Sequence, residues 1–308
     1  MSLVPGSFEP NQRNHNKIVA NLLKRTREIS PETMRSGSSW YPSGQQDAQF
    51  IGEQSGQGRL AGAAILGRLS PTTDWDLNRL MAIQTLHVPD RGVAAIREAV
   101  EMPKEKDDRL KELAKSKKNK LRETAGLPGT PLGNQTLSNV NTSLKVRNGE
   151  ISPLEAFNIH PNRSRKVSDF ALTLESGGEH PHAVIDTHAY DAAMDSVHVP
   201  YNTGNTHMKK AGIYNFIQTA YADAHQQAIK QNLIPPTMTM GDFQAAHWIH
   251  QQNKKKEVSA RSSGSRRGTG SFVQRMIAEN PHLDPAKHGL APIITRTDGF
   301  STGITEGR

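Results

Sequence analysis

Ala183-Val184-Ile185-Asp186-Thr187-His188-Ala189-Tyr190-Asp191-Ala192-Ala193-Met194 is the stretch on which the reading of this chain turns. Three apolar or small residues run into an acid, a hydroxyl and a histidine, and a helical pattern follows. The order predicts an extended, buried segment ending where a helix begins. Thr187 is the expected cap, with the charge of Asp186 close to the positive end of the helix. An aspartate so placed can stay ionised in a partly apolar site.

Working outward, Asn162-Arg163-Ser164-Arg165-Lys166 follows a turn at His160-Pro161 and opens a predicted helix over 166–174. Downstream, residues 200–204 read as a loop. A long helix is expected over 209–231, with Ile213, Phe216, Ile217, Ala220, Tyr221 and Ala224 on one stripe. Pro235-Pro236 stops it, and Thr239 or Asp242 starts another helix bearing Phe243, Ala246, Trp248 and Ile249. Lys254-Lys255-Lys256 and the Ser-, Gly- and Arg-rich run 259–271 read as a flexible basic linker. A short helix over 272–279 and a tail complete the chain.

At the other end, residues 1–10 read as a loose arm. Asn11 is placed to cap a helix over 12–28 with Ile18, Val19, Leu22 and Leu23 on one face. Pro31 is expected to end it, Gly37-Ser38-Ser39 to turn, and Ala48, Phe50 and Ile51 to belong to a second helix. Residues 58–69 are apolar nearly all round, which predicts a central buried helix whose small residues permit close approach. After Ser70-Pro71, Thr73 and Asp76 form an expected capping box for a helix with Trp75, Leu77, Leu80, Met81 and Ile83. Residues 90–101 read as helix. From 103 to 126 the chain is dominated by charge and reads as a solvated helix or insertion. Leu137, Val140 and Leu144 mark a helix over 136–146, and 153–157 a short further turn.

Strands are few, so the architecture is expected to be mainly α. The expected organisation is an N-terminal arm with helices (1–56), a helical core (57–252, with the charged insertion at 103–126) and a basic linker and tail (253–308). Lys plus Arg number 38 and Asp plus Glu 30, a formal charge of +8 with a pI near 9.6, which suits a polyanionic partner or plain solubility. No cysteine occurs, which excludes disulfides, thiolate zinc sites, a cysteine nucleophile and an iron–sulfur cluster. No apolar run approaches membrane-spanning length and the start of the chain has no secretory apolar core. The expectation is a soluble cytoplasmic monomer, in the host cell cytoplasm if encoded by a phage.

Basic turn, helix, short apolar run and acid at a helix start form an order that resembles the helix-hairpin-helix DNA glycosylase superfamily, the group of endonuclease III and the adenine glycosylases. That superfamily's signature ends in Val-Asp-Thr-His, and Ile185-Asp186-Thr187-His188 matches it. The family's Gly-x-Gly hairpin turn and its cluster cysteines are absent. The resemblance implies a two-lobed helical fold with a cleft, Asp186 as the catalytic carboxylate, and Lys166 near the lysine that forms a Schiff base in bifunctional members. It also implies DNA contacts from Asn162, Arg163, Arg165, Lys166, Thr187 and His188, and a monovalent cation at the hairpin as the one cofactor. Leu69-Ser70-Pro71, the Trp75 to Asn78 run and Gln244-Ala245 with Trp248 are similar to phage members that modify thymine after polymerisation. Ser70, Trp75 and Asn78 would then line a base pocket.

The function implied is that of an enzyme on double-stranded DNA acting on a flipped-out pyrimidine, at the thymine 5-position in the phage manner. A base-excision N-glycosylase is the first alternative, and a DNA-binding module without catalysis the second. Asp186 as nothing more than a helix cap is the competing structural reading. His180, His182, Asp186 and His188 lie close in sequence, but their spacing matches no metal motif, and no metal is assigned. His247 and His250, three apart, read as surface histidines.

Overall fold

The computed structural model describes residues 3–71, 73–158, 165–210, 212–262 and 269–292. Among these residues there is no β-strand, and fourteen α-helices carry the fold. In chain order they are α1 (Gln12–Glu28), α2 (Pro31–Gln54), α3 (Arg59–Leu69), α4 (Trp75–His87) and α5 (Asp90–Glu101). Then come α6 (Asp108–Thr124), α7 (Leu137–Arg147), α8 (Pro153–Asn158), α9 (Arg165–Glu175) and α10 (Thr187–Ala193). The last are α11 (Tyr201–Met208), α12 (Ile213–Lys230), α13 (Met240–Ser262) and α14 (Thr269–Glu279). They group into two compact units, each made of two chain segments: Met1–Gln45 with His160–Arg267, and Gln46–Ile159 with Gly268–Arg308.

The first unit is built around the buried stripes of α1, α10, α12 and α13. Ile18 and Leu22 meet Ile185, Tyr190, Ile217, Tyr221 and Phe243, all essentially inaccessible. Asn11 caps α1 as expected, accepting from the amide of Asn14 at 2.9 Å. The N-terminal arm is not loose. Leu3 and Phe8 are buried, the Gly6 amide donates to the Tyr190 hydroxyl at 3.0 Å, and His207 Nε2 donates to the Phe8 carbonyl at 3.0 Å. His207 Nδ1 must then accept, and Tyr190 donates to it at 2.8 Å.

Four local expectations fail here for reasons of packing. The expected turn at 37–39 is continuous helix: a Cβ on Gly37 would lie 2.6 Å from the Ala246 amide, so the glycine lets α2 and α13 touch backbone to backbone. The expected loop at 200–204 opens α11, whose His207 is buried against the arm. The expected linker continues α13 through its three lysines to Ser262. Lys254 pairs with Glu28, and Lys255 with Asp191 at 2.6 Å. His247 is likewise no surface group, being 1% exposed with Nε2 3.0 Å from Thr26 Oγ1.

The second unit centres on α3, buried on every side as its sequence implies. A Cβ on Gly62 would fall 1.9 Å from the Ala48 carbonyl oxygen of α2, so these helices too cross at backbone contact. Ile65, Leu66 and Leu69 pack with Leu80, Met81, Val140 and Leu144. Asp74, not Thr73, caps α4 by accepting from the Leu77 amide at 2.8 Å, while the Thr73 hydroxyl turns back to the carbonyls of Leu69 and Ser70. Arg79 and Asp47, both nearly inaccessible, form an ion pair at 3.0 Å. Part of the expected tail is structured: Val273, Met276 and Leu283 are buried, and Arg79 donates to the Ala291 carbonyl. No helix among the described residues is long and apolar enough to cross a membrane.

Candidate functional site

The segment 183–185 approaches Asp186 extended and buried, and its backbone is held from α12. Ile185 donates its amide to the Tyr214 hydroxyl at 3.2 Å, and the Ala183 carbonyl accepts from Gln218 Nε2 at 2.8 Å. Both partners donate onward to one carboxylate oxygen of buried Asp169, at 3.0 and 2.7 Å. Burial, then the Asp169 charge, pushes the Tyr214 phenol well above its usual range, so it remains a donor. Arg165 braces the same network. It donates to Gln218 Oε1 at 3.0 Å, bonds Asn215, and lies over the Tyr214 ring at 5.3 Å.

Asp186 itself, not Thr187, is the N-cap of α10. Its Oδ1 accepts from the Ala189 amide at 2.8 Å, while Oδ2 takes no part in that bond. A carboxylate there satisfies one open amide and sits at the positive end of the helix. Thr187 and His188 are half-buried in the first turn. His188 Nδ1 lies 3.2 Å from Lys255 Nζ and can only accept from it, which makes the imidazole neutral. Burial pushes its pKa down, Lys255 and Lys166 act the same way, and Asp186 opposes them. Lys166, Asp186 and Lys255 therefore all act electrostatically on His188.

Beside them stands a wall of rings drawn from four helices. Trp40 of α2 lies 5.5 Å from Trp248 of α13 and 6.0 Å from Phe170 of α9, and Trp248 meets His188 edge to face at 6.0 Å. Tyr41 backs the wall, buried, donating to Gln244 Oε1 at 2.9 Å. Burial and, next, the Asp186 charge push its phenol well above the usual range. Trp40, Phe170, Trp248 and His188 are each only half-buried, so the wall keeps accessible ring surface. Such surface can stack a planar heterocycle.

Other residues singled out in the sequence are accounted for differently. Asn162 and Arg163, with the hairpin itself, lie outside the described residues. Ser70, Trp75 and Asn78 belong to the second unit. Asn78 is 1% exposed and donates to the Leu66 carbonyl at 3.0 Å, and Ser70 donates to the Gly67 carbonyl at 2.9 Å, so both finish α3. Trp75 is the half-buried first residue of α4. His180 stacks edge-on with His182 at 5.3 Å and approaches Asp169 at 3.7 Å, and no group of metal-ligating side chains is gathered among the described residues. Trp40, Phe170, Lys255 and Asp169 were not singled out in the sequence. One signal was present: Trp248 and Lys255 are seven apart, hence on one face of a helix.

The model of a family of unknown function (DUF7178) matches residues 8–125. That span runs through α6 and includes Trp40, but stops short of α9, α10 and α13. No curated protein and no solved structure matches the chain.

Proposed function

We propose that this protein is a DNA-base-processing enzyme of the helix-hairpin-helix glycosylase-like kind, which binds duplex DNA and presents an extruded pyrimidine to Asp186. The observation that carries the reading is the half-buried wall of Trp40, Phe170 and Trp248, met edge to face at 6.0 Å by His188, two residues after Asp186 in the first turn of α10. Extruding a base costs a few kcal/mol, and stacking one on an aromatic surface returns about 1–3 kcal/mol. Asp186 Oδ2 then faces the chemistry while Oδ1 holds the helix. It acts as a base toward an incoming amine, or as the partner of a developing positive charge. Lys166 and Lys255 supply the neighbouring positive charge. Absence of cluster cysteines and hairpin glycines favours modification of the base, in the manner of phage thymine-modifying enzymes, over its excision.

Mass spectrometry of nucleosides from DNA of cells carrying the gene tests this directly. A new pyrimidine nucleoside is expected with the wild type and none with Asp186→Asn, whose DNA affinity is retained. Release of free base from duplexes would shift the assignment to a glycosylase. An unchanged nucleoside profile, with no base released, would leave at most a DNA-binding module.

A further inference from the structure

The second unit carries a helix that adds no fully buried side chain to its core. None of the residues of α6 is buried, and Leu110 and Leu113 are 47% and 66% exposed. The helix packs along α5, with Ala114, Lys118, Leu121 and Arg122 half-buried, and is held besides by the Asp107 cap, which accepts from the amides of Arg109 and Leu110, by an ion pair at 2.7 Å from Lys117 to Glu98 of α5, and by Arg122 donating to the Gly133 carbonyl. Helical stability usually comes from burying an apolar face. In α6 only one edge is half-buried against α5, so most of its surface faces solvent. Here that surface is charged: α6 has seven basic and three acidic residues.

The charges are sorted by face. A groove of about 500 Å³ runs along α6 and the segment before it, lined by Lys104, Lys111, Lys115, Lys118 and Arg122 against a single acid, Glu105. The four on α6 are spaced four, three and four apart, one face of the helix. Lys104 and Lys118 make no ion pair among the described residues. Lys111 and Lys115 pair only with acids one turn earlier, Asp108 at 2.6 Å and Glu112 at 3.8 Å. Exposed pairs of that kind are weak and are readily exchanged for a phosphate.

We propose that this groove binds the phosphate backbone of duplex DNA, as a grip separate from the wall beside Asp186. The choice of duplex rests on the reading of the protein as a DNA enzyme, whereas the anionic character of the ligand rests on the groove alone. The eleven steps from Lys111 to Arg122 rise about 16 Å along the helix. Phosphates of one strand advance about 3.4 Å each along the duplex axis, so this row of charge matches the length of about five of them. Glu105, near one end, is the only acid such a strand would meet in the groove.

The test is binding of a short labelled duplex by the full chain, followed by fluorescence anisotropy as salt rises from about 50 to about 200 mM. Reversing Lys104, Lys115 and Lys118 to Glu is expected to weaken binding on the order of a hundredfold at the low end and to flatten the salt slope by about 3. The matched control reverses the exposed Lys209, Lys230 and Lys287, which carry the same charge change and do not line the groove. It should bind within a few-fold of wild type. Thermal melting confirms that both variants are folded. Equal binding by the groove variant and the control would overturn the proposal, as would polyglutamate competing as strongly as DNA. The two readings separate cleanly: Asp186-dependent base chemistry surviving with an idle groove sinks only this inference, and groove-dependent binding with no base chemistry sinks only the enzyme.

Discussion

Lys255 Nζ lies 2.6 Å from Oδ2 of Asp191, a carboxylate only 1% exposed, and the same ammonium reaches His188 Nδ1 at 3.2 Å. One cation from α13 thus ties down the interior of α10 and fixes the tautomer of the residue two positions after Asp186. The other oxygen of Asp191 accepts from the Val199 amide at 3.0 Å. Burial pushes the Asp191 carboxyl up and Lys255 pulls it back. Removing the ammonium leaves a buried acid with one backbone donor. Lys255→Met is expected to cost about 2–4 kcal/mol in urea unfolding, and adding Asp191→Asn should restore most of it. A loss no larger than that of an exposed lysine such as Lys230 would show that the pair contributes nothing.

A pH dependence follows from two buried groups in different units. Burial pushes His247 down to about 3, so its contribution is full above about pH 6.5 and is lost progressively as pH falls from there toward about 3. Asp47 goes the opposite way. Burial raises it to about 6 despite Arg79, so its contribution is present below the ordinary carboxylate range and is lost as pH rises through about 6. Going from about pH 7.5 to about pH 5 should weaken the first unit by about 2 kcal/mol through His247 and strengthen the second by about 1 kcal/mol through Asp47. Hydrogen exchange at both values, corrected for intrinsic rates, reads the two units separately. His247→Gln should remove most of the first effect and Asp47→Asn the second. Pairs of variants with the parental pH profile would contradict the assignment.

The network from Asp169 to the backbone of 183–185 positions the carboxylate without touching a substrate. Tyr214→Phe deletes both the acceptor for the Ile185 amide and one donor to Asp169. A stability loss of about 1–2 kcal/mol is expected. If the proposed chemistry is present, kcat should fall while KM for DNA stays near that of wild type. A rise in KM with kcat intact would instead place Tyr214 in binding.

Much of this could be read from local pattern, and the exceptions share a cause. Residues 12–28 and 90–101 show caps and apolar spacing within their own span, and the helices found have those bounds. Gly37 looks like a turn because a glycine's neighbours in sequence carry no sign of Ala246, the backbone it must admit. The 201–208 helix lacks an apolar stripe, and its buried His207 is explained only by Phe8 and Tyr190. The site divides in the same way. Asp186 could be picked out from four consecutive residues, whereas Trp40, Phe170 and Trp248 meet only because three helices distant in sequence converge.

The wall makes its own optical prediction. Trp40 and Trp248 are half-buried and adjacent, so a base stacked on them should quench tryptophan emission. Trp248→Ala should weaken binding of a duplex with a mismatched, readily extruded base by about 1–3 kcal/mol and remove much of the quench, while Trp248→Phe keeps most of the affinity. Trp75, in the other unit, supplies the control: Trp75→Phe should leave the quench unchanged. A quench that survives Trp248→Ala and Trp40→Phe together would move the base elsewhere.

Gly37→Ala sets two known effects against each other at one atom. In a helix interior alanine is favoured over glycine by about 1 kcal/mol, so propensity alone predicts a more stable protein. The added Cβ, however, would stand 2.6 Å from the Ala246 amide nitrogen and 2.7 Å from its Cα, and backbone cannot rotate out of the way as a side chain can. Forcing apart α2 and α13 costs about 1–3 kcal/mol by the measure of overpacked cores. It also shifts Trp40 and Trp248, which lie three and two residues from the contact on the two helices. The net expectation is a destabilisation of up to about 2 kcal/mol by thermal or urea melting, accompanied by a change in tryptophan emission. Gly37→Ala melting above wild type, with emission unaltered, would mean that the two helices do not approach as described. The crossing that brings the two indoles together would then need another cause.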